Sequence, residues 1–557
     1  MKTINKIGIL MMATAMLMVT SCSDFNDYNT VPTDISSSAS QTLWENISQN
    51  SELSDFAALV KKVGFDDELQ AAHYYTVWAP KNGTYDAASL MQQDNDVILK
   101  EFVKNHIADY NHQVSGTVDE RIHTLNTKSY DFVGNGSYAF DDITLSQVNL
   151  PSVNGVMHII DGMATFYPNI YEYLDKADGI DSLRNYFKKY ELTTLDVSRS
   201  VVGPTVNGKQ TYIDSVMVTK NQMTRTLYAF IDKEDSSYTM MMPTNEAWLS
   251  AYNRIKPYFR FINTTKAQDI KNATSATSAP EIFVTLNAAY MTDSLTKRAI
   301  VNSLVFNNNS YYNSGLEEVN SQNMDTLMTT QGLKFANPVE LLSRTKDKAK
   351  MSNGYARIID SLAVRPWDAW ASKQFLSAPT ILGHYWTGTP LNRRLILNIA
   401  QKDTTISYLH VQPTSNYSKP QVDLVIPKVL STSYNIYAVL VPPYDEVGTT
   451  ITSLSEAKPN QLDFSLSYCN ANGVLAIQKL NQKVENNPGA IDTVFVGQFT
   501  FPVCYQNIGN DNIVPNLKIT TDFGVFNKVA MAKYTRDIRI SGIILKPVEL
   551  DQFEANK

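Results

Sequence analysis

Asn154-Gly155-Val156-Met157-His158-Ile159-Ile160-Asp161 reads as a turn at Asn-Gly feeding a strand with little polar content, buried on both sides. The pattern returns as Asn353-Gly354-Tyr355-Ala356-Arg357-Ile358-Ile359-Asp360. An internal repeat carries more weight than any single motif. Upstream of each copy lies a short strand closed by a Pro; in the first copy it is expected over 74–79, broken by Pro80. The first is Tyr75-Thr76-Val77-Trp78-Ala79-Pro80; the second is Tyr238-Thr239-Met240-Met241-Met242-Pro243, followed by Thr244-Asn245-Glu246-Ala247-Trp248. Helical patterns flank these strands. Ser51 is placed to cap a helix that turns Leu53, Phe56, Ala57, Val60 and Val63 to one face and stops at Gly64. A second helix is expected over 96–109, with Leu99, Phe102, Val103 and His106 on its face. Short strands are expected at 122–125, 130–133 and 143–148. Helices first and strands after define an α+β unit. The second copy has helical pattern over 170–190 and 295–306, and two insertions, at 193–223 and 258–279.

This order resembles the fasciclin domain. Tyr75 to Pro80 is similar to the family's strand-then-Ala-Pro box, Val103-Lys104-Asn105-His106 to its Tyr-His element, and Asn154 to Asp161 to its closing strand. The second copy has the better Pro-Thr-Asn box. It lacks both family histidines: Arg357 stands in the closing strand, and the later helix ends in Phe306-Asn307. The resemblance implies two tandem fasciclin-like domains, at 41–168 and 169–368, and adhesion or binding as the activity.

Beyond this pair the composition changes. Strands are expected at 396–399, 406–411, 422–426, 434–441, 462–469, 474–477, 494–503, 517–520 and 538–545, bounded by Pro, Asn, Gly and Ser clusters. Many short strands with almost no helical pattern predict an all-β sandwich over 369–557. The predicted fold class is α+β: two fasciclin-like domains followed by that sandwich.

At the other end, Lys2 and Lys6 precede an apolar run over 7–19, too short to span a bilayer as a mature helix. A basic stretch before an apolar one is an export signal, expected to occupy 1–21. Val19-Thr20-Ser21-Cys22 resembles a bacterial lipobox, which would make Cys22 a lipidated N-terminus. Ser23, Asp24 and Asp27 follow, in an acidic cluster that resembles the surface-export signal of Bacteroidota lipoproteins. Residues 22–40 are polar and read as a tether. The resemblance places the chain in the outer membrane, lipid-anchored and facing outward.

Hydrophobic content of 43% and charged content of 18% are ordinary for a globular chain, and a net charge of −7 gives no basic footprint for nucleic acid. No Cys or His spacing resembles a zinc site, no Gly-rich phosphate loop appears, and no Gly-x-Ser-x-Gly elbow appears. No catalytic residue, metal or cofactor is therefore expected. His106 and His112 are six apart, which does not place two imidazoles on one helical face. His106 and His158 read as core histidines whose ring nitrogens are satisfied internally. Cys469 and Cys504 would pair in an oxidising compartment; the other reading is two buried thiols. Trp367, Trp370, Tyr385 and Trp386 cluster where the second repeat meets the β-region. They are either flat platforms for a glycan or peptide, or the glue between domains. The expected role is an accessory subunit of a TonB-dependent β-barrel importer, partnered by it or by other surface lipoproteins. The alternatives are an adhesin and an envelope hydrolase with its site in the β-region.

Overall fold

In the computed structural model the described residues are 40–262, 287–316, 324–380, 389–399, 402–415, 417–442, 457–506, 513–521, 523 and 527–557. The export signal, Cys22, Ser23, Asp24 and Asp27 lie outside them, as do Tyr385 and Trp386. The chain divides into two compact units. One holds the residues up to Lys176 with Phe230–Tyr238 and Ala349–Ala356; the other holds the rest. The expected β-region and most of the expected second domain thus share one unit.

The first unit opens with α1 (Leu43–Gln49). Thr42 Oγ1 accepts the Glu45 N–H and Glu45 returns a carboxylate to the Thr42 N–H, a reciprocal cap. The predicted helix over 51–64 is broken near its start. Ser51–Leu53 forms a 3-10 turn capped by Asn50, and α2 (Ser54–Lys62) follows, burying Phe56, Leu59 and Val60. Gly64 stops it in the left-handed region, at φ +70°. The helix predicted over 96–109 passes through a π-helical segment, Ile98–Val103, and ends at His106. Ile107–Asp109 is instead a strand.

Seven strands form one sheet: β1 (Tyr75–Pro80), β2 (Ile107–Asp109), β3 (Thr117–His123), β4 (Ser129–Asn135), β5 (Tyr138–Phe140), β6 (Ile143–Ser152) and β7 (Gly155–Ile160), in the order β2-β1-β7-β6-β5-β4-β3. The two sequence motifs are neighbours: β1 pairs with β7 in parallel, Tyr75 opposite Gly155 and Pro80 opposite Ile160. Both strands are buried throughout, which explains their lack of alternation. The unit is continued by α3 (Ile170–Lys176).

The second repeat contributes α4 (Asp181–Lys188), β8 (Glu191–Leu195), β9 (Val201–Val206), β10 (Lys209–Asp214), β11 (Met217–Asn221), β12 (Tyr238–Pro243), α5 (Asn245–Ile255), α6 (Ala288–Val301), β13 (Val305–Asn307), β14 (Thr345–Met351) and β15 (Gly354–Ile359). Its main sheet runs β13-β12-β15-β14, the order of the first four strands of the seven-stranded sheet. The repeat read in the sequence is therefore a repeat of topology. Lys346, Lys348 and Lys350 on β14 protect the sheet's edge. The insertion over 193–223 is an arm: β8 pairs with β11, β9 pairs with β10, and the tip is Asn207-Gly208, both at positive φ.

The C-terminal strands are β16 (Gln374–Ser377), β17 (Thr389–Ile399), β18 (Lys402–Gln412), β19 (Gln421–Val425), β20 (Ser433–Leu440), β21 (Gln461–Cys469), β22 (Leu475–Lys479), β23 (Asp492–Thr500), β24 (Asn516–Thr521) and β25 (Ile538–Pro547). One sheet runs β17-β18-β25-β20-β23, with β16 also on β25; a second runs β19-β24-β21-β22. Alternate residues are buried in both. Leu462, Phe464 and Leu466 face Thr521, Ile519 and Leu517 across the ladder. Ile436 and Ala438 face Leu545 and Ile543 in the other sheet. All nine predicted strands are present. Two helices of this region were not predicted: Lys528–Lys533 and α7 (Val548–Ala555).

Candidate interaction surfaces

The Asn of each closing motif sits in the turn before its strand and is a hub as well. Asn154 Oδ1 accepts the Leu43 N–H at 2.8 Å, and its Nδ2 donates to the Leu69 and Ala71 carbonyls, both at 2.9 Å. Asn353 repeats the set: Ile170 N–H at 2.9 Å, and the Ile231 and Lys233 carbonyls at 2.8 Å. The glycine that follows permits a close approach. A Cβ at Gly155 would lie 2.1 Å from the Tyr75 carbonyl oxygen, and one at Gly354 would lie 1.9 Å from that of Tyr238.

The two histidines of the first repeat are spent internally. His106 Nδ1 donates to the Phe102 carbonyl at 2.7 Å, and its Nε2 accepts the Ala164 N–H at 2.9 Å. His158 Nε2 donates to the His112 carbonyl at 2.9 Å, and its Nδ1 accepts from Asn149 N–H. Burial pushes each imidazole down to about 4, against the carbonyl bond that favours the charged form. Both rings are neutral struts at neutral pH. Trp78 stacks on Phe140 at 4.4 Å beside His158.

The strongest charged constellation of this unit went unread in the sequence. Lys128, only 1% exposed, bonds to Glu172 at 2.8 Å and Glu234 at 2.6 Å, and reaches Ser352 at 3.3 Å. Lys100 takes the other Glu172 oxygen. Burial alone would raise the Glu172 carboxyl. Lys128, Lys100 and the Asn169 N–H outweigh it and hold the group below its ordinary value. The node gathers five stretches distant in sequence, so no local pattern announces it. Breaking a buried pair of this kind costs about 3–5 kcal/mol.

In the other unit the junction aromatics are occupied. Trp367 lies 4.9 Å from the Phe553 ring, and the Arg365 guanidinium covers Phe553 at 4.8 Å. Trp370 meets Tyr258 at 5.9 Å and carries Arg254 over its face at 5.4 Å. The Tyr258 hydroxyl donates to the Glu549 carboxylate of α7. Trp367 thus packs on the C-terminal helix directly, and Trp370 packs on Tyr258, which bonds to it. Of the two readings of Cys469 and Cys504, the structure has the second: both are free, buried thiols. They line one small cavity with Phe501, Val503 and Pro515, and burial pushes both thiols up, as suits small apolar side chains. Among the described residues, no group of three or more His, Cys, Asp or Glu is placed to hold a metal ion.

Among the described residues, exposed apolar side chains recur along two surfaces of interest. On β22, an edge strand, Leu475 and Ile477 are exposed beside Val474. On the arm, no residue from Glu191 to Lys220 is buried, and Leu192, Val197, Val201, Val202, Val206, Ile213 and Met217 are all exposed.

Residues 51–165 match the fasciclin domain family. This stretch is a fasciclin domain, a type known in adhesion-type proteins. Among solved structures, the chain is similar to a FAS1 domain pair from the insect cell adhesion molecule Fasciclin I: 13% identity, 58% of this chain, 99% of that chain, TM-score 0.20. It is also similar to the CBM22-1 xylan-binding domain of Paenibacillus barcinonensis Xyn10C: 12% identity, 31% of this chain, 93% of that chain, TM-score 0.19. No curated protein matches the chain.

Proposed function

We propose that this chain is a non-catalytic binding protein, anchored by lipid on Cys22 at the outer face of a bacterial outer membrane, where it serves a TonB-dependent β-barrel importer of glycans or peptides. The observation that carries the binding reading is the fasciclin domain over residues 51–165. Its histidines support that reading, since both ring nitrogens of His106 and of His158 are engaged by the backbone. The two half-apolar C-terminal sheets are read as the layers of a β-sandwich. Its β22 edge, with Leu475 and Ile477 outward, offers a partner both apolar contact and free backbone groups. The importer itself is proposed from the resemblance of residues 22–27 to surface-lipoprotein signals.

In a mild-detergent extract the protein should co-migrate with a β-barrel subunit, and Leu475→Lys with Ile477→Lys should abolish the complex. If it migrates alone while cells lacking it lose attachment to matrix or to neighbours, the adhesin reading replaces the importer one; the fasciclin domain favours that second reading. Turnover of a glycan or peptide by the purified chain would overturn both.

A further inference from the structure

The arm, from Glu191 to Lys220, is a 30-residue excursion with almost nothing to hold it. Ordering a residue costs about 1–2 kcal/mol of backbone entropy. The arm offsets this with two ladders of strand pairs but no buried side chain between Glu191 and Lys220. An isolated two-stranded ribbon is marginal in water; three or more strands with an apolar face are needed. Ile213, the extra residue where the β9–β10 register shifts, is 76% exposed. A surface of this kind calls for a cover.

The edges of the ribbon differ. Pro204 removes a donor from β9, which blunts that edge. β10 has neither Pro nor Gly, and among the described residues it pairs only with β9. Its sequence is Lys209-Gln210-Thr211-Tyr212-Ile213-Asp214. Laid antiparallel against a second copy of itself, it sets Lys209 opposite Asp214, Gln210 opposite Ile213 and Thr211 opposite Tyr212. The two-fold axis then generates each pair twice. Opposite charges and an aromatic facing a β-branched residue are favourable cross-strand pairs. The arm's charges also cancel: Arg199, Lys209 and Lys220 against Glu191, Asp196 and Asp214, on a chain of net charge −7. Two such chains repel at long range, and a neutral arm is where that repulsion is least.

We propose that the arm is a homodimerisation element: β10 pairs with β10 of a second copy, making a four-stranded sheet β9-β10-β10-β9 across a two-fold axis. The pairing removes the open β10 edge and gives Ile213 and the arm valines a wider sheet to lie on. It is independent of the importer reading.

Sedimentation velocity of the full chain in mild detergent, over a wide range of concentration, tests this. The wild type should show a monomer–dimer equilibrium. Lys209→Asp sets like charges opposite at both ends of the interface and should weaken the dimer by about tenfold or more. Asp214→Lys should do the same, and the double swap Lys209→Asp/Asp214→Lys should restore it. Both positions are exposed, so far-UV circular dichroism of each variant should match the wild type. A wild type that stays monomeric, a single swap that dimerises as well as the wild type, or a double swap that does not recover would each overturn the proposal.

Discussion

At the scale of single residues, Asn154 and Asn353 do the same work with different partners. Each amide satisfies one buried N–H and two carbonyls that its own strand cannot reach. Asn154→Ala should cost about 2–4 kcal/mol, since an unpaired buried group costs about 1–3. Asn154→Asp should also destabilise, because a carboxylate cannot donate to Leu69 and Ala71. Urea midpoints of the three proteins check both; a loss under 1 kcal/mol in the alanine variant, about the value of one ordinary bond, would contradict the hub. His106 and His158 give a pH dependence of known sign. Their ordinary value is about 6.5 when unfolded, and burial brings both to about 4 when folded. The unfolded chain binds more protons between those values, so their contribution is fully present above the upper one. It falls as pH drops through the window, by on the order of 3 kcal/mol for each histidine. Denaturation titrations near pH 7 and near pH 4 should show it, and replacing either histidine by Gln should flatten the profile. Asn-Gly is visible in the sequence and reads there as a turn, which the structure keeps at both copies. The hub was hidden because its partners lie far away along the chain, and spacing rules see only near neighbours. Lys128 was missed for the same reason: a lone Lys beside Thr127 looks solvated until Glu172 and Glu234 arrive from elsewhere.

Elements with one wet face were the most legible. The C-terminal strands alternate buried and half-buried residues, and that period survives in the sequence. Helix ends were less so. Asp96 to His106 keeps its apolar face but changes winding within it, and periodicity does not report a π-helical segment. α7 escaped because its apolar Val548, Leu550 and Phe553 follow no helical period; it is held by partners, Trp367 and Arg365 around Phe553 and Tyr258 on Glu549. Tyr258→Phe should therefore leave a carboxylate without its hydroxyl and lower Tm modestly, by about 1–2 kcal/mol of stability. The insertion at 193–223 is visible as extra length, but only the exposure of residues 191–220 shows that it carries an arm without a core. Replacing residues 194–218 by a two-residue Asn-Gly turn keeps the Leu192–Lys220 and Thr193–Thr219 pairs. Because nothing in the excised stretch is buried, Tm of the shortened chain should be unchanged under calorimetry. A large drop would mean that the arm is part of the fold, not an addition to it.

For the molecule as a whole, the sequence shows the repeat because Gly, Pro and apolar spacing are fixed by backbone packing. It shows little of the surface, where exposed residues answer only to partners. The segment proposed to set location, residues 22–27, would carry its information as chemistry rather than as fold. A thioether on Cys22 would hold diacylglycerol, and each buried methylene adds about 0.8 kcal/mol, so more than one acyl chain gives stable anchoring. Cys22→Ala removes the only sulfur at that position and should release the protein from the membrane fraction or leave it unprocessed. A mutant that remains lipidated and membrane-bound would refute the anchor. Display is a separate question, because an anchor serves either leaflet. If Asp24 and Asp27 form the export signal, protease added to intact cells should digest the wild type and spare a variant with both changed to Ala, although both proteins remain lipidated. Equal digestion would reduce the acidic residues to plain tether. The two measurements are independent: the first reads attachment and the second reads sidedness. Only a protein that passes both has the β22 edge and the arm in contact with what lies outside the cell.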